Sequence, residues 1–264
     1  MNIQDYLHPD VGELPLETLN PTGGLTAIFR RIACVGDSLS SGELETLEKI
    51  GGKKVYLDLF EHSWGQYLAR MTGATVYNFS RGGMTAKEFM EGFANSKNFW
   101  DPKLACDAYI FALGVNDLIG RGMEIGSCAD LDPTDWNNNK PTFAGWFGQV
   151  VGRFRAIQPE APLFFVTMPR EEDTQEVAAK RDAHARMMYE MADYFGNAYV
   201  LDLRKYGPVY DRDFKARFYG GGHLNTMGYY LTALEIGSYI DWIIRHNARA
   251  FRSVGLSGLP YTLC

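Results

Sequence analysis

Five short apolar runs, each separated from the next by a stretch with helical spacing, constrain this chain more than any other feature. Ile32 to Val35, Thr75 to Phe79, Ala108 to Leu113, Leu163 to Thr167 and Ala198 to Leu203 are too short for buried helices and read as strands. Between and after them, Trp64 to Met71, Thr85 to Ala94, Phe143 to Ala156, Asp173 to Phe195 and about Thr226 to Arg245 carry apolar residues at helical intervals. Thr85 with Glu88 fits a capping box, Gly73 is placed to end a helix in the left-handed region, and Pro208 breaks the chain after the fifth strand. Strict strand and helix alternation predicts an α/β domain with a parallel sheet of about five strands, covered on both faces by right-handed crossovers.

Residues 1–30 differ. Pro9, Pro15, Pro21 and the Gly23-Gly24 pair interrupt any period, so this segment is expected to form an irregular arm, with 31–264 as one domain. At 264 residues and 46% hydrophobic content, one sizeable core is the default. The formal charge of -6 has the wrong sign for a nucleic-acid backbone or an anionic membrane surface, so neither is expected as a partner. The first residues lack the layout of a leader, and no window is apolar enough to span a bilayer. The chain as given therefore reads as cytoplasmic, with secretion after leader removal left open. Cys34, Cys106, Cys128 and Cys264 show no Cys-x-x-Cys spacing, and His8, His62, His184 and His246 have no companion at ligand spacing. Reduced thiols, and no metal or cofactor, are expected.

In such a sheet, ligands bind beyond the carboxyl ends of the strands. Ser38, Gly83 and Asn116 follow the first, second and third strands there, and His223 precedes the last helix. A serine hydroxyl becomes a nucleophile only when a base and oxyanion donors converge on it. The late histidine supplies the base; the Ser38 and Gly83 backbone N–H groups and the Asn116 amide supply the donors.

The blocks Gly36-Asp37-Ser38-Leu39-Ser40, Asn78 to Thr85 and Gly114-Val115-Asn116-Asp117, with His223, resemble the SGNH, or GDSL, hydrolase superfamily over roughly 31–245. The resemblance implies a three-layer flavodoxin-like sandwich and a serine esterase. Its site would have Ser38 as nucleophile, His223 as base, and Ser38, Gly83 and Asn116 as the oxyanion hole. It implies a small-molecule ester substrate, with acetyl groups on carbohydrate foremost; a thioesterase or lysophospholipase remains open, as does a catalytically silent binding protein on the same scaffold.

The family's last block reads Asp-x-x-His, whereas this chain has Gly220-Gly221-Gly222-His223. With the aspartate gone, a main-chain carbonyl admitted by the glycine run is expected to accept from His223 Nδ1–H, making a Ser-His dyad. Asp211 and Asp213 are expected to serve a turn or helix start instead, and Asp37 to bond the turn backbone. Arg81-Gly82-Gly83 before the Thr85 helix could also be read as an anion cradle, although no Walker-type lysine accompanies it. The long connection from Leu118 to Pro141 suggests a lid or a substrate wall. Trp136, Phe143 and Trp146 are expected to pack in core or loop, with stacking on a sugar as the alternative.

Overall fold

The computed structural model describes residues 7, 12–46 and 51–255. Its central sheet has five parallel strands: β1 (Arg31–Gly36), β2 (Thr75–Ser80), β3 (Ala108–Ala112), β4 (Leu163–Val166) and β5 (Ala198–Leu201), in the order β2-β1-β3-β4-β5. This is the doubly wound order of flavodoxin-like folds. The three inner strands, β1, β3 and β4, are buried on both sides, which is why the sequence shows continuous apolar runs there rather than alternation. Along β1, Ala33 and Val35 enter one core while Ile32 and Cys34 enter the other.

The first core is closed by α2 (Phe143–Ile157), α3 (Gln175–Phe195) and the distorted helix from Ala86 to Ser96. Phenylalanines 79, 89, 111, 147, 154 and 165 fill it with edge-on and stacked rings 5.4–6.2 Å apart. The second is closed by α1 (Trp64–Thr72) and α4 (Thr226–His246), around Trp64, Tyr229, Ile236 and Ile240. Helix starts follow side-chain chemistry: Ser63, Thr142, Thr174 and Asn225 each accept from a first-turn N–H. Thr85 caps its helix through Glu88 N–H, and Gly73 ends α1 at φ 74°.

Part of the leading segment is laid on α4. Asn20 N–H donates to Ser238 Oγ, Leu25 N–H to Asp241, and Thr26 Oγ1 to the Gly237 carbonyl. The connection after β3 is not a free lid. It folds into short helical turns packed on α2, where Leu131 is buried and Trp136 lies against Gly152 and stacks on Phe195 at 5.8 Å. Phe143 is fully buried, so neither it nor Trp136 offers a free ring face to a sugar.

Two features have no counterpart in the sequence reading. Arg170–Glu171 and Val209–Tyr210 form a short parallel pair. Glu43–Glu45 and Tyr56–Asp58 form an antiparallel pair, with Glu43 opposite Asp58 and Glu45 opposite Tyr56. The second pair stands beside the end of β1 and brings three carboxylates to the site.

Candidate active site

Chain connections leave β1 toward β2 on one side, while β3 lies on the other, so a crevice opens between the carboxyl ends of β1 and β3. Ligands of doubly wound sheets bind at such a point. Ser38 opens a single helical turn, Ser38–Ser41, immediately after β1; Asp37 caps that turn by accepting from Leu39 N–H at 3.1 Å. Burial raises the Asp37 carboxyl to about 7, with the Asp117 and Glu43 charges adding to the effect and backbone hydrogen bonds opposing it.

Across the crevice, Asn116 lies on a wide π-type turn, Val115–Gly120, after β3. Its Nδ2 donates to the Met84 carbonyl at 3.2 Å and reaches Asp37 Oδ2 at 3.4 Å. Asp117 is fully buried and accepts from Ala86 N–H, tying this turn to the one after β2. Burial pushes it, too, up to about 7. Gly83 sits in that neighbouring turn at φ 70°, a left-handed backbone that favours glycine, and the space over its α-carbon is open. Among the described residues, neither the Ser38 N–H nor the Gly83 N–H has an acceptor. Two unpaired donors and a primary amide thus gather at adjacent strand ends.

His223 comes from a tight loop. Tyr219 and Leu224 form an isolated bridge, and Gly220 N–H donates to the His223 carbonyl at 2.9 Å. The ring lies against the Glu43–Asp58 strand pair: Nε2 is 3.0 Å from Glu43 Oε1, Nδ1 is 3.7 Å from Glu45 Oε2, and Tyr56 meets it edge-on at 5.8 Å. The Tyr229 hydroxyl donates to the Glu43 carbonyl at 2.7 Å and also reaches the Ser38 carbonyl at 3.4 Å, holding the two backbones together. No hydrogen bond joins the Ser38 and His223 side chains among the described residues.

The expected main-chain acceptor at Nδ1 is corrected by this geometry. Nδ1 is buried and has no hydrogen-bond partner, and the groups flanking the ring are carboxylates. In the glycine run it is an N–H that meets the neighbouring carboxylate: Gly222 N–H donates to Glu45 Oε2, and Glu45 fills the space beside the run. Asp211 caps the helix Arg212–Phe218 through Phe214 N–H. The anion cradle is occupied by acid: Gly82 N–H donates to Asp58 Oδ2 at 3.2 Å, and the Glu43 carboxylate presses on Gly82. Arg81 instead lies over the Phe93 ring, and Arg170 bonds the Gly207 carbonyl.

The carboxylates around the histidine differ in charge preference. Burial raises Glu43, helped by Asp58 and Glu45 and opposed by His223. Glu45 is lowered, first by its hydrogen bond with Lys54, 3.0 Å away, and then by Gly222 N–H. Sequence reasoning missed both residues. The signal lay in the two-residue period of Glu43-Leu44-Glu45 and Tyr56-Leu57-Asp58, with the Gly51-Gly52 pair in the connection between them.

Other chemistry-bearing residues are structural. Cys34 and Cys106 are buried free thiols pushed up by burial, and Cys128 is a partly buried one; Cys264 and His8 lie outside the described residues. His184 is buried, bonded through Nε2 to the Leu113 carbonyl at 3.0 Å and lowered by burial to about 4. The described residues contain no group of His, Cys, Asp or Glu arranged to hold a metal ion. No described helix is long and apolar enough to cross a membrane.

A five-stranded parallel sandwich with serine, glycine and asparagine blocks at successive strand ends, and a histidine before the last helix, defines the SGNH class of ester hydrolases. The model of the GDSL-like lipase/acylhydrolase family matches residues 34–231, and the chain belongs to that family. A comparison with curated proteins gave no match. Among solved structures, the chain is similar in fold to a family two carbohydrate esterase from Clostridium thermocellum in complex with cellohexaose. Identity is 14% and the TM-score 0.54, over 84% of this chain and 65% of that one. A family 2 carbohydrate esterase from Corynascus thermopiles (Myceliophthora fergusii), carrying a carbohydrate-binding domain, gives 18% and 0.54 over 84% and 66%. A family 3 carbohydrate esterase from Clostridium thermocellum gives 16% and 0.50 over 85% and 98%. The chain therefore spans about two-thirds of each family 2 structure.

Proposed function

We propose that this ester hydrolase removes short acyl groups from a carbohydrate, with Ser38 as nucleophile and His223 as base. The observation that carries the reading is the pair of unpaired N–H groups, Ser38 and Gly83, beside the Asn116 amide at the β1/β3 crevice. The two backbone donors have no partner to give up when charge develops on a substrate oxygen beside them, and Asn116 trades its long bonds to Met84 and Asp37 for one to that oxygen. Ser38 Oγ attacks the ester carbonyl carbon and its proton passes to His223 Nε2. The carbonyl oxygen becomes an anion held by the three donors. Collapse breaks the ester bond, His223 returns the proton to the departing alcohol, and water repeats the sequence to free the acid and Ser38. For the first transfer, Nε2 must exchange Glu43 for Ser38 Oγ.

Two features support a short acyl group on a sugar. A cavity of about 90 Å³ lies beside the nucleophile turn, with Asp37 and Leu39, the neighbours of Ser38, in its wall together with Leu113, Met168 and Leu224. That volume suits an acyl chain of a few carbons rather than a long lipid tail. On the open side, Tyr56 is 52% exposed and meets the His223 ring edge to face at 5.8 Å, so it is an aromatic side chain available to a sugar alcohol beside the base. The carbohydrate esterases of similar fold agree with this choice.

Initial rates on p-nitrophenyl esters from acetyl to octanoyl, and on acetylated xylo- and cello-oligosaccharides, test it. Turnover should be highest for the shortest acyl groups, with acetate released from the oligosaccharides. Preference for octanoyl, or silence toward every sugar ester, would overturn the substrate assignment. A second reading, a binding protein without turnover, is favoured by the contact of Nε2 with Glu43 rather than Ser38. It predicts sugar binding with no release of acid from any ester.

A further inference from the structure

His223 lacks a carboxylate three residues before it, yet its ring is flanked by two. Glu43 and Glu45 are two residues apart on one strand, so both project from the same face toward the ring. Their tasks differ. Nε2, beside Glu43, is the nitrogen that must receive the Ser38 proton. Nδ1 faces Glu45, is buried, and has no hydrogen-bond partner. Its 3.7 Å separation from Glu45 Oε2 exceeds a hydrogen bond, and a closure of about 0.7–1 Å would make one. Such bonds are often long before substrate arrives and tighten in the loaded site.

Glu45 is also built in. Lys54 Nζ holds one oxygen at 3.0 Å, Gly222 N–H donates to the other, and the side chain is 9% exposed. The glycine run is shaped around it. A β-carbon at Gly221 would lie 2.7 Å from Glu45 Cδ, and one at Gly222 would lie 2.8 Å from Oε2. At Gly220 a β-carbon would meet only Asn225 Cβ, at an ordinary 3.8 Å. The glycines that make the last block unusual are therefore also what admits a carboxylate from elsewhere in the chain.

We infer that Glu45 is the positioning residue of His223, supplying from the Glu43–Glu45 strand the carboxylate that the family pattern places at position 220. An ionised Glu45 at Nδ1 fixes the tautomer that leaves Nε2 free to accept a proton, and it offsets the imidazolium formed as Ser38 attacks. Lowering of Glu45 by Lys54 and Gly222, and raising of Glu43 by burial, place the negative charge on the side this role requires.

The inference rests on the Ser38–His223 reading, and the experiment separates the two. Glu45→Gln keeps one acceptor oxygen for Gly222 N–H and removes the charge, together with the Lys54 contact on the other oxygen. On p-nitrophenyl acetate, kcat should fall about 100- to 10,000-fold with KM within about threefold, the range bounded by loss of a triad carboxylate. Adding Gly220→Asp to that variant should restore at least about tenfold of the lost kcat. Proton and nitrogen NMR of the parent should show His223 protonated on Nδ1, a tautomer preference lost in Glu45→Gln; this readout does not depend on turnover. The inference is overturned if the parent turns over and labels at Ser38 but Glu45→Gln matches it. It is equally overturned if the loss falls on KM, if Gly220→Asp restores nothing, or if the parent ring carries its proton on Nε2. A parent that neither labels at Ser38 nor hydrolyses any ester overturns the serine-hydrolase reading itself, and the inference with it.

Discussion

Replacing Asn116 by alanine should separate catalysis from stability more cleanly than any other change in the site. In the resting structure its amide makes two long hydrogen bonds, 3.2 Å to the Met84 carbonyl and 3.4 Å to Asp37 Oδ2, from a half-buried position. A typical hydrogen bond contributes about 0.5–1.5 kcal/mol and these are at the weak end, so the folded state should lose about 1 kcal/mol. For a domain of this size that is a Tm decrease of roughly 2–4 °C. The transition state should lose more, because the amide is there paired with an oxyanion: about 100- to 1,000-fold in kcat, or about 2.7–4 kcal/mol. Steady-state kinetics on p-nitrophenyl acetate read kcat and KM, and thermal melts read stability on the same samples. A kcat within about threefold of the parent, with the melt unchanged, would remove Asn116 from the oxyanion hole and refute the reasoning that put it there.

Two further changes test the surroundings of the site. Tyr56→Ala should raise KM for acetylated oligosaccharides severalfold while leaving kinetics on p-nitrophenyl acetate within about twofold, since the exposed ring touches the side where the sugar would lie; equal effects on both substrates would argue against a sugar platform. Asp117 has a folded-state pKa raised by burial from 3.8 to about 7, so the native state binds the extra proton between those values and stability falls as pH rises through that window. Asp117→Asn keeps an acceptor for Ala86 N–H and removes that slope. Its stability relative to the parent should therefore grow from pH 4 to pH 7 by up to roughly 4 kcal/mol, the full equivalent of the shift. Urea melts across that range check it, and a constant difference would contradict the raised pKa.

The strands and long helices were legible because burial on both faces leaves a mark that composition cannot hide. Ile32 to Val35 and Leu163 to Val166 are apolar at every position, and the runs read as Ile32 to Val35 and Leu163 to Thr167 end within a residue or two of the observed strands. Caps were legible for a related reason, since Thr85 and Gly73 act on their own turn. The Glu43–Asp58 strand pair was not. Its strands are three residues each and partly exposed, and they pair across a connection of ten residues, so the two-residue period and the Gly51-Gly52 pair are too short a signal to stand out without an apolar run or a tight turn. Without that strand pair in view, the glycine run leaves a main-chain carbonyl as the natural partner of His223. A residue 178 positions upstream meets the ring only because this strand pair folds beside β1. Trp136 of the long connection and Phe143 just after it pack as their sequence context suggests, but the sequence does not show what Trp136 packs on: α2 offers it Gly152 to lie on.

The most direct measurement is mass spectrometry of the full chain after treatment with a fluorophosphonate, alongside Ser38→Ala and His223→Ala. A serine activated by a neighbouring base, with donors set for an oxyanion, should take up one phosphonyl group, mapped to the peptide carrying Ser38. The adduct should be absent in Ser38→Ala and strongly slowed in His223→Ala. An unmodified parent chain that also releases no acid from any ester, or an adduct that persists in Ser38→Ala, would contradict the account.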